Sequence, residues 1–166
     1  MDLQETDAYP RPPFSFSDEA GRDIDVRPFD GETDALAEMY RTLDPADRTQ
    51  GIPPRNDARL VSWVETLTGE GLNLVAWHGD RAVGHTALMP MDKEHWELAI
   101  FVHSDYQKAR IGTRLLRCLF GYGKDHGVDL VWLSVERHNN AALNLYESMG
   151  FERLGGCSEF KMERSL

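Results

Sequence analysis

Tyr106-Gln107-Lys108-Ala109-Arg110-Ile111-Gly112-Thr113-Arg114-Leu115-Leu116 follows the apolar run Leu98-Ala99-Ile100-Phe101-Val102 and opens a segment with apolar residues at helical spacing, Leu115, Leu116, Leu119 and Phe120. A strand that enters a short turn and becomes a helix aims unpaired backbone N–H groups at one point. Those donors and the positive end of the helix dipole both favour an anion there. No Asp or Glu lies between Tyr106 and Gly123, yet Lys108, Arg110, Arg114 and Arg117 all do. Helix starts ordinarily attract acidic side chains, so this pattern points to an anion that arrives from outside, a cofactor pyrophosphate. The competing reading is a solvated basic helix face.

The segment resembles the acetyl-CoA-binding motif of the GNAT superfamily of N-acetyltransferases, Q/R-x-x-G-x-G/A. Gln107 fills its first position and Gly112 its last, while Arg110 replaces the middle glycine. Downstream, Asn139-Asn140-Ala141-Ala142-Leu143-Asn144-Leu145-Tyr146-Glu147-Ser148-Met149-Gly150-Phe151 resembles the second signature, N-x-x-A-x-x-L-Y-E-x-x-G-F. Either motif alone is a weak signal; the ordered pair, about thirty residues apart with a strand between, is specific. The resemblance is sharp over about residues 95–153 and topological from 22 to 94. It implies an α/β (α+β) three-layer fold, a mixed central sheet of six to seven strands flanked by about four helices.

With 166 residues the chain suits one domain, expected at 21–166 behind an arm or tail at 1–20 that holds Pro10, Pro12 and Pro13. Hydrophobic content of 41% and charged content of 28% describe an ordinary globular protein. There is neither a membrane-length apolar run nor a basic-then-apolar leader, so a cytoplasmic protein is expected. Cys118 and Cys157 suit a reducing compartment. Cys118, on an apolar helix face, reads as packed rather than reactive, and a disulfide between the two runs against the compartment. The net charge of −10 argues against duplex DNA or an anionic membrane as partner. Fourteen Arg against four Lys, beside 28 acidic residues, resembles proteins of salt-loving archaea; a mesophilic acidic enzyme is the alternative.

Alternation at Ile24 and Val26 predicts a strand over 23–28, and Phe14 and Phe16 alternate with serines as a short strand would. Leu36, Met39, Tyr40 and Leu43 predict a helix from Thr33 to Leu43, followed by a stiff polar loop over 44–54. Asn56 or Asp57 caps the next helix, whose stripe is Leu60, Val61, Val64 and Leu67. A hairpin turns at Gly79-Asp80-Arg81, between strands 72–78 and 82–89. Trp96–Val102 reads as a central strand, followed by a helix over 111–126, a strand over 128–135, a helix over 140–149, and one or two closing strands over 151–162.

Acetyl transfer to an amine needs a held thioester, a neutral amine and a proton for the departing thiolate. A lysine-type amine, with pKa about 10.4, is neutral in roughly one molecule per thousand near pH 7, so a base beside it matters. Glu97 is the first candidate: alternation points it away from Trp96, Leu98 and Ile100, and related enzymes carry a glutamate on this strand. A salt-bridged strand carboxylate is the competing reading. Glu94 is second, nearer the turn; His85 and His103 are further candidates, with structural hydrogen bonding favoured for His103. By resemblance, Tyr146 is the general acid, against a plain core tyrosine. Asn139 contacts the pantetheine arm, acts as an N-cap, or does both. Backbone groups of Ile100, Phe101 and Val102 are expected to pair with pantetheine amides as an added strand would. Gln107, Lys108, Ala109, Arg110, Ile111, Gly112, Thr113 and Arg114 form the pyrophosphate loop, in which the N–H groups of residues 110–114 hold the anion. Gly112 lets the phosphate approach the backbone.

The expected activity is acetyl-CoA-dependent N-acetylation of a small-molecule or peptide amine, with no metal. The alternative is a catalytically inactive acyl-CoA sensor, motivated by Arg110. Residues 44–55 and the 85–95 hairpin end are expected to wall the acceptor pocket, with Trp63, Trp77 and Trp96 as candidate lining. A homodimer is suggested by family habit alone.

Overall fold

Alternating apolar residues give eight strands: Phe14–Ser17 (β1), Asp23–Pro28 (β2), Leu72–His78 (β3), Arg81–Pro90 (β4), His95–Val102 (β5), Leu130–Glu136 (β6), Glu152–Gly155 (β7) and Glu159–Ser165 (β8). They form one sheet in the order β1-β2-β3-β4-β5-β6-β8-β7. Four helices join them: Thr33–Arg41 (α1), Asp57–Glu70 (α2), Ile111–Asp125 (α3) and Asn140–Ser148 (α4). The computed structural model describes residues 9–48, 52–155 and 159–166. Cys157, and with it the question of a disulfide, lies outside the described residues.

The class and the mixed sheet match expectation; the strand count does not, with eight in place of six to seven. Two causes add up. Residues 14–17 pair with β2 (Phe14↔Val26, Phe16↔Ile24), extending the sheet at its edge. The closing segment folds back on itself as β7 and β8. Ahead of β1, Tyr9 is buried against Phe120, ring centroids 5.8 Å apart. The chain crosses α3 so closely that a Cβ on Gly121 would sit 2.6 Å from the carbonyl oxygen of Pro10. Glycine is required at that crossing.

Two cores sandwich the sheet. One face carries Ile24, Val26, Leu74, Val83, Leu88 and Leu98 against Leu115, Leu116, Leu119 and Phe120 of α3. The other carries Val75, Trp77 and Ala82 against Leu36, Met39 and Tyr40 of α1 and Leu60 and Val64 of α2. Each fully buried Leu of α3 contributes about 1.5–3 kcal/mol of transfer free energy. Cys118 is buried in the first core, and desolvation pushes its thiol up to about 12, the signature of a packed cysteine. On α2 the expected stripe is only half realised: Val61 and Leu67 stay half-buried, and Leu67 borders an open cleft.

The cleft originates in strand pairing. β5 runs antiparallel to β4 along its length, from Gly84↔Val102 to Pro90↔Trp96. With β6 it pairs in parallel only from His95↔Leu130 to Glu97↔Trp132, and beyond Glu97 the two strands diverge. The N–H of His103 donates to the Val83 carbonyl on β4 at 2.9 Å. Strand alternation then turns the peptide groups of Leu98, Ile100 and Val102 towards the gap, and those of Ala99 and Phe101 towards β4. Among the described residues no helix is long and apolar enough to cross a membrane.

Candidate active site

The gap opens into a cleft of about 810 Å³. Its walls are the free edge of β5, the loop leading into α3, the C-terminal end of β6 with α4, and the end of the α1–α2 layer. Ile100, Phe101, Val102, Gln107, Lys108, Arg110, Ile111, Gly112, Thr113, Asn139, Tyr146 and Glu97 all line it. Ala109 is buried and Arg114 is exposed; neither is on its wall.

At the loop end, three features fit a phosphate. The N-cap of α3, Arg110, makes no side-chain cap, and the helix has no acidic residue in its first turn. Lys108 and Arg110 are both left-handed, at φ 61° and 69°, which curls successive N–H groups into a concave nest. A Cβ on Gly112 would meet nothing nearer than 3.8 Å, from Leu145 and Val102, so there is room above that backbone. One expected donor drops out. The N–H of Arg114 already bonds the Arg110 carbonyl at 3.2 Å, as the first intrahelical bond, which leaves the groups of Arg110, Ile111, Gly112 and Thr113. The basic run also divides. Lys108 and Arg110 stay at the cleft, whereas Arg114 stacks 5.4 Å from the Phe16 ring and Arg117 5.0 Å from Tyr9.

Arg110 occupies the conformation for which glycine is suited, and its guanidinium is held by Glu19 at 3.0 Å. The Glu19 N–H also donates to the Ala109 carbonyl, so the β1–β2 turn braces the loop. Arg110→Gly and Arg110→Ala both lose the exposed ion pair, but only glycine escapes the left-handed penalty. Chemical denaturation should find the Gly variant about 1 kcal/mol more stable than the Ala variant.

Gln107 donates through Nε2 to the Val102 carbonyl at 3.1 Å, one of the groups that faces the gap. Asn139 accepts from the Ala142 N–H at 3.2 Å and so caps α4 from a position on the cleft wall. Tyr146, on α4, packs edge-on against Phe151 with centroids 5.6 Å apart, and burial pushes its phenol up to about 12. The direction matters: the phenol keeps its proton across the neutral range, and its surroundings do not lower its pKa.

Glu97 is exposed within the cleft, and its carboxylate has no ion pair or hydrogen bond among the described residues. The salt-bridge reading therefore finds no partner there. Glu94 sits in the β4–β5 turn, where its N–H bonds Asp92, and it does not line the cleft. His103 is buried, bonded to Thr42 Oγ1 at 2.9 Å and accepting from the Asp105 N–H: a structural role. His85 is buried as well, between Tyr40 Oη (2.5 Å from Nδ1) and Asn73 Oδ1 (2.7 Å from Nε2). Asn73 Nδ2 donates to the Leu67 carbonyl, which fixes the amide orientation. Nε2 of His85 then carries the proton and Nδ1 accepts from the phenol.

Burial lowers His85 to about 3. The unfolded chain protonates near 6.5, so His85 contributes stability that is fully present above that pH and is lost as pH falls between about 6.5 and 3. Going from pH 7.5 to pH 5 should cost about 2 kcal/mol through this group. Urea unfolding of the parent and of His85→Gln at both pH values checks it: the variant should lack that increment.

Sequence reasoning missed several wall residues. Ser134 and Glu136 come from β6, and Ala142 and Leu145 from α4. Leu43 and Leu67 come from the α1–α2 layer, whereas Met89 falls within the expected 85–95 hairpin end and Asp47 and Ile52 within the expected 44–55 segment. Of the three tryptophans considered, Trp63 lines the cleft, whereas Trp77 is buried in the second core and Trp96 packs on the first. No local pattern marks these residues, because the cleft exists only where two strands part.

A sequence model of the acetyltransferase (GNAT) family matches residues 34–151. The chain is 44% identical over 52 residues to the ribosomal protein bS18-alanine N-acetyltransferase of Escherichia coli, covering 31% of this chain and 35% of that protein. It is 38% identical over 85 residues to the N-alpha-acetyltransferase RimI of Mycobacterium tuberculosis, covering 51% and 49%. The chain thus spans between about a third and a half of these curated relatives. Among solved structures, the GNAT domain of S. lividans PAT superposes with a TM-score of 0.80 at 16% identity, covering 92% of this chain and 96% of that one. A putative acetyltransferase from Salmonella typhimurium, solved with its cofactor acetyl-CoA, gives 0.70 at 19% identity over 86% and 94%. At such identities the superpositions speak for the fold, while the sequence match covers most of the chain: the protein belongs to the GNAT family of acetyltransferases.

Proposed function

We propose that the protein transfers an acetyl group from acetyl-CoA to a primary amine. One observation carries the reading: the free peptide edge of β5, the uncapped start of α3, the Glu97 carboxylate and the Tyr146 phenol all border a single cleft. When bound, the thioester supplies an acetyl group activated towards nucleophiles. Ile100 and Val102 offer N–H and C=O groups to an extended amide-bearing arm, provided Gln107 releases the Val102 carbonyl. Ile111, Gly112 and Thr113 offer N–H groups to its diphosphate.

Glu97 takes the ammonium proton, directly or through water, which removes the thousandfold deficit of neutral amine. Tyr146 presents its proton to the departing sulfur. With the phenol near 12 and a free thiol near 8.5, complete transfer in water would be uphill by roughly 5 kcal/mol. The same burial that raises the phenol raises a thiolate beside it, so the gap narrows inside the cleft. Donation of a hydrogen bond to the sulfur as charge develops is the main contribution.

A non-catalytic sensor would need neither group. The test begins with calorimetric titration of acetyl-CoA in moderate and in multimolar salt, then measures amine-dependent release of free thiol across a panel of amines. Binding with amine-dependent thiol release supports the proposal. Binding without release from any amine identifies a sensor, and no binding in either salt removes both readings.

A further inference from the structure

Resting on the acetyltransferase reading, we infer the acceptor's chemical class: a primary amine attached to an apolar, ring-sized body, with no carboxylate and no second cationic group. Along β5, Glu97, Ala99 and Phe101 share the face that looks towards α1 and α2. Strand rise separates Glu97 from Phe101 by about 13 Å, with Ala99 midway. The small side chain of Ala99 leaves a floor with a carboxylate at one end and an aromatic wall at the other.

That wall is built, not incidental. Tyr40, Trp63 and Phe101 pack mutually edge to face, with centroids 5.0, 5.3 and 5.6 Å apart and interplanar angles of 82°. Tyr40 is anchored from both sides. Its hydroxyl is tied to His85, and its carbonyl accepts from Arg48 at 3.0 Å. The same guanidinium holds the Pro53 and Pro54 carbonyls, which fastens these two residues to the aromatic corner. Leu43, Ile52, Leu67 and Met89 complete an apolar rim.

Among the described wall residues on the α1–α2 side the charges are both negative, Glu97 at one end of the floor and Asp47 beyond Phe101, where it accepts from Ser104 Oγ at 2.6 Å. The Arg48 guanidinium is off the wall and occupied by the carbonyls of Tyr40, Pro53 and Pro54. Among the described residues, the cations on the cleft wall, Lys108 and Arg110, belong to the phosphate loop at the other end. A carboxylate on the acceptor would meet two like charges and no counter-ion. A second ammonium along the floor between Glu97 and Phe101 would have to be desolvated against aromatic and aliphatic side chains, because Asp47 lies beyond Phe101 and already accepts from Ser104. An ammonium next to an apolar ring satisfies both halves: the charge faces Glu97 and the ring lies against Trp63 and Phe101.

The experiment compares kcat/KM with acetyl-CoA for 2-phenylethylamine, ethylamine, free phenylalanine, spermidine and a peptide amide with N-terminal phenylalanine. Phenylethylamine is expected to exceed ethylamine by roughly ten- to a hundredfold, from burial of its ring. It should exceed phenylalanine and spermidine by at least about tenfold. The peptide amide shares the required chemistry, and its rank against phenylethylamine tells a peptide source from a small-amine source. Trp63→Ala, or Trp63→Leu where the first does not fold, should collapse the phenylethylamine-to-ethylamine ratio towards one. Ala99→Leu should depress phenylethylamine more than ethylamine by filling the floor. Faster turnover of spermidine or phenylalanine, or a ratio that Trp63 substitution leaves intact, overturns the acceptor assignment and leaves the acetyltransferase reading standing. Acetyl-CoA binding without turnover of any amine overturns the acetyltransferase reading itself, and this inference with it.

Discussion

Tyr146→Phe should lower kcat by about a hundredfold or more while acetyl-CoA affinity changes less than about threefold. Removing a positioned proton donor ordinarily costs between 10² and 10⁴ in rate. The substitution keeps the ring that packs against Phe151, so α4 and the first core should be undisturbed. Only the hydroxyl is lost, and it contributes where negative charge builds on sulfur. Steady-state kinetics with a good amine, set beside calorimetry of the same variant, separates the two quantities. Because the phenol is raised to about 12, the parent enzyme's kcat should not fall between pH 8 and 10 from loss of this proton. A Tyr146-dependent decline in that range would mean that the phenol is less desolvated than its surroundings imply. An unchanged kcat in Tyr146→Phe would return Tyr146 to the role of a core tyrosine.

Gly112→Trp should reduce acetyl-CoA affinity by more than about a hundredfold with little loss of fold. A Cβ at this position points between Leu145, Val102 and Ile100 at 3.8–3.9 Å, an ordinary contact distance, so the first carbon is accommodated. The remainder of an indole has nowhere to go except into the gap between β5 and α4. There it would cover the peptide groups of Ile100 and Val102 and the N–H groups at the start of α3. Gly112→Ala provides the graded control: stability near that of the parent and a smaller loss of affinity, because one methyl narrows the approach to the backbone without filling the gap. Thermal melts of both variants, run with titrations, check that the loss is local. Full affinity in the tryptophan variant would place the cofactor elsewhere.

Much of the proposed cofactor half of the cleft was legible from residues 95–153, and the reason is local. An apolar strand, a turn with basic residues and no acids, and a helix with Leu115, Leu116 and Leu119 on one face are all encoded within twenty or so neighbouring positions. Helix N-termini bind anions by backbone geometry that any such sequence reproduces. Even so, the loop needed the structure to explain Arg110: only the contact with Glu19, ninety-one residues away, shows where that side chain goes. The eighth strand, which the sequence offered only as a short possibility, needed the structure for a similar reason. Phe14 and Phe16 alternate as a strand should, but four residues become a strand only when an open edge such as β2 accepts them.

Of the proposed acceptor half, the sequence reading reached the segments 44–55 and 85–95, Glu97 and Trp63, but not how they meet. Nothing near Trp63 says that it will meet Phe101 and Tyr40, and nothing near Glu97 says that β6 stops pairing there. Sequence periodicity reports which face of an element is apolar, since that depends on backbone repeat alone. By itself it determined the strand–turn–helix of the cofactor loop, the motif around Tyr146 and the family. The parting of β5 from β6, the corner where three rings converge, and the buried hydrogen bonds of His85 to Tyr40 and Asn73 behind it were decided by tertiary structure. Each depends on which distant elements share a layer, and that is settled by packing of the whole sheet rather than by any one segment's preference.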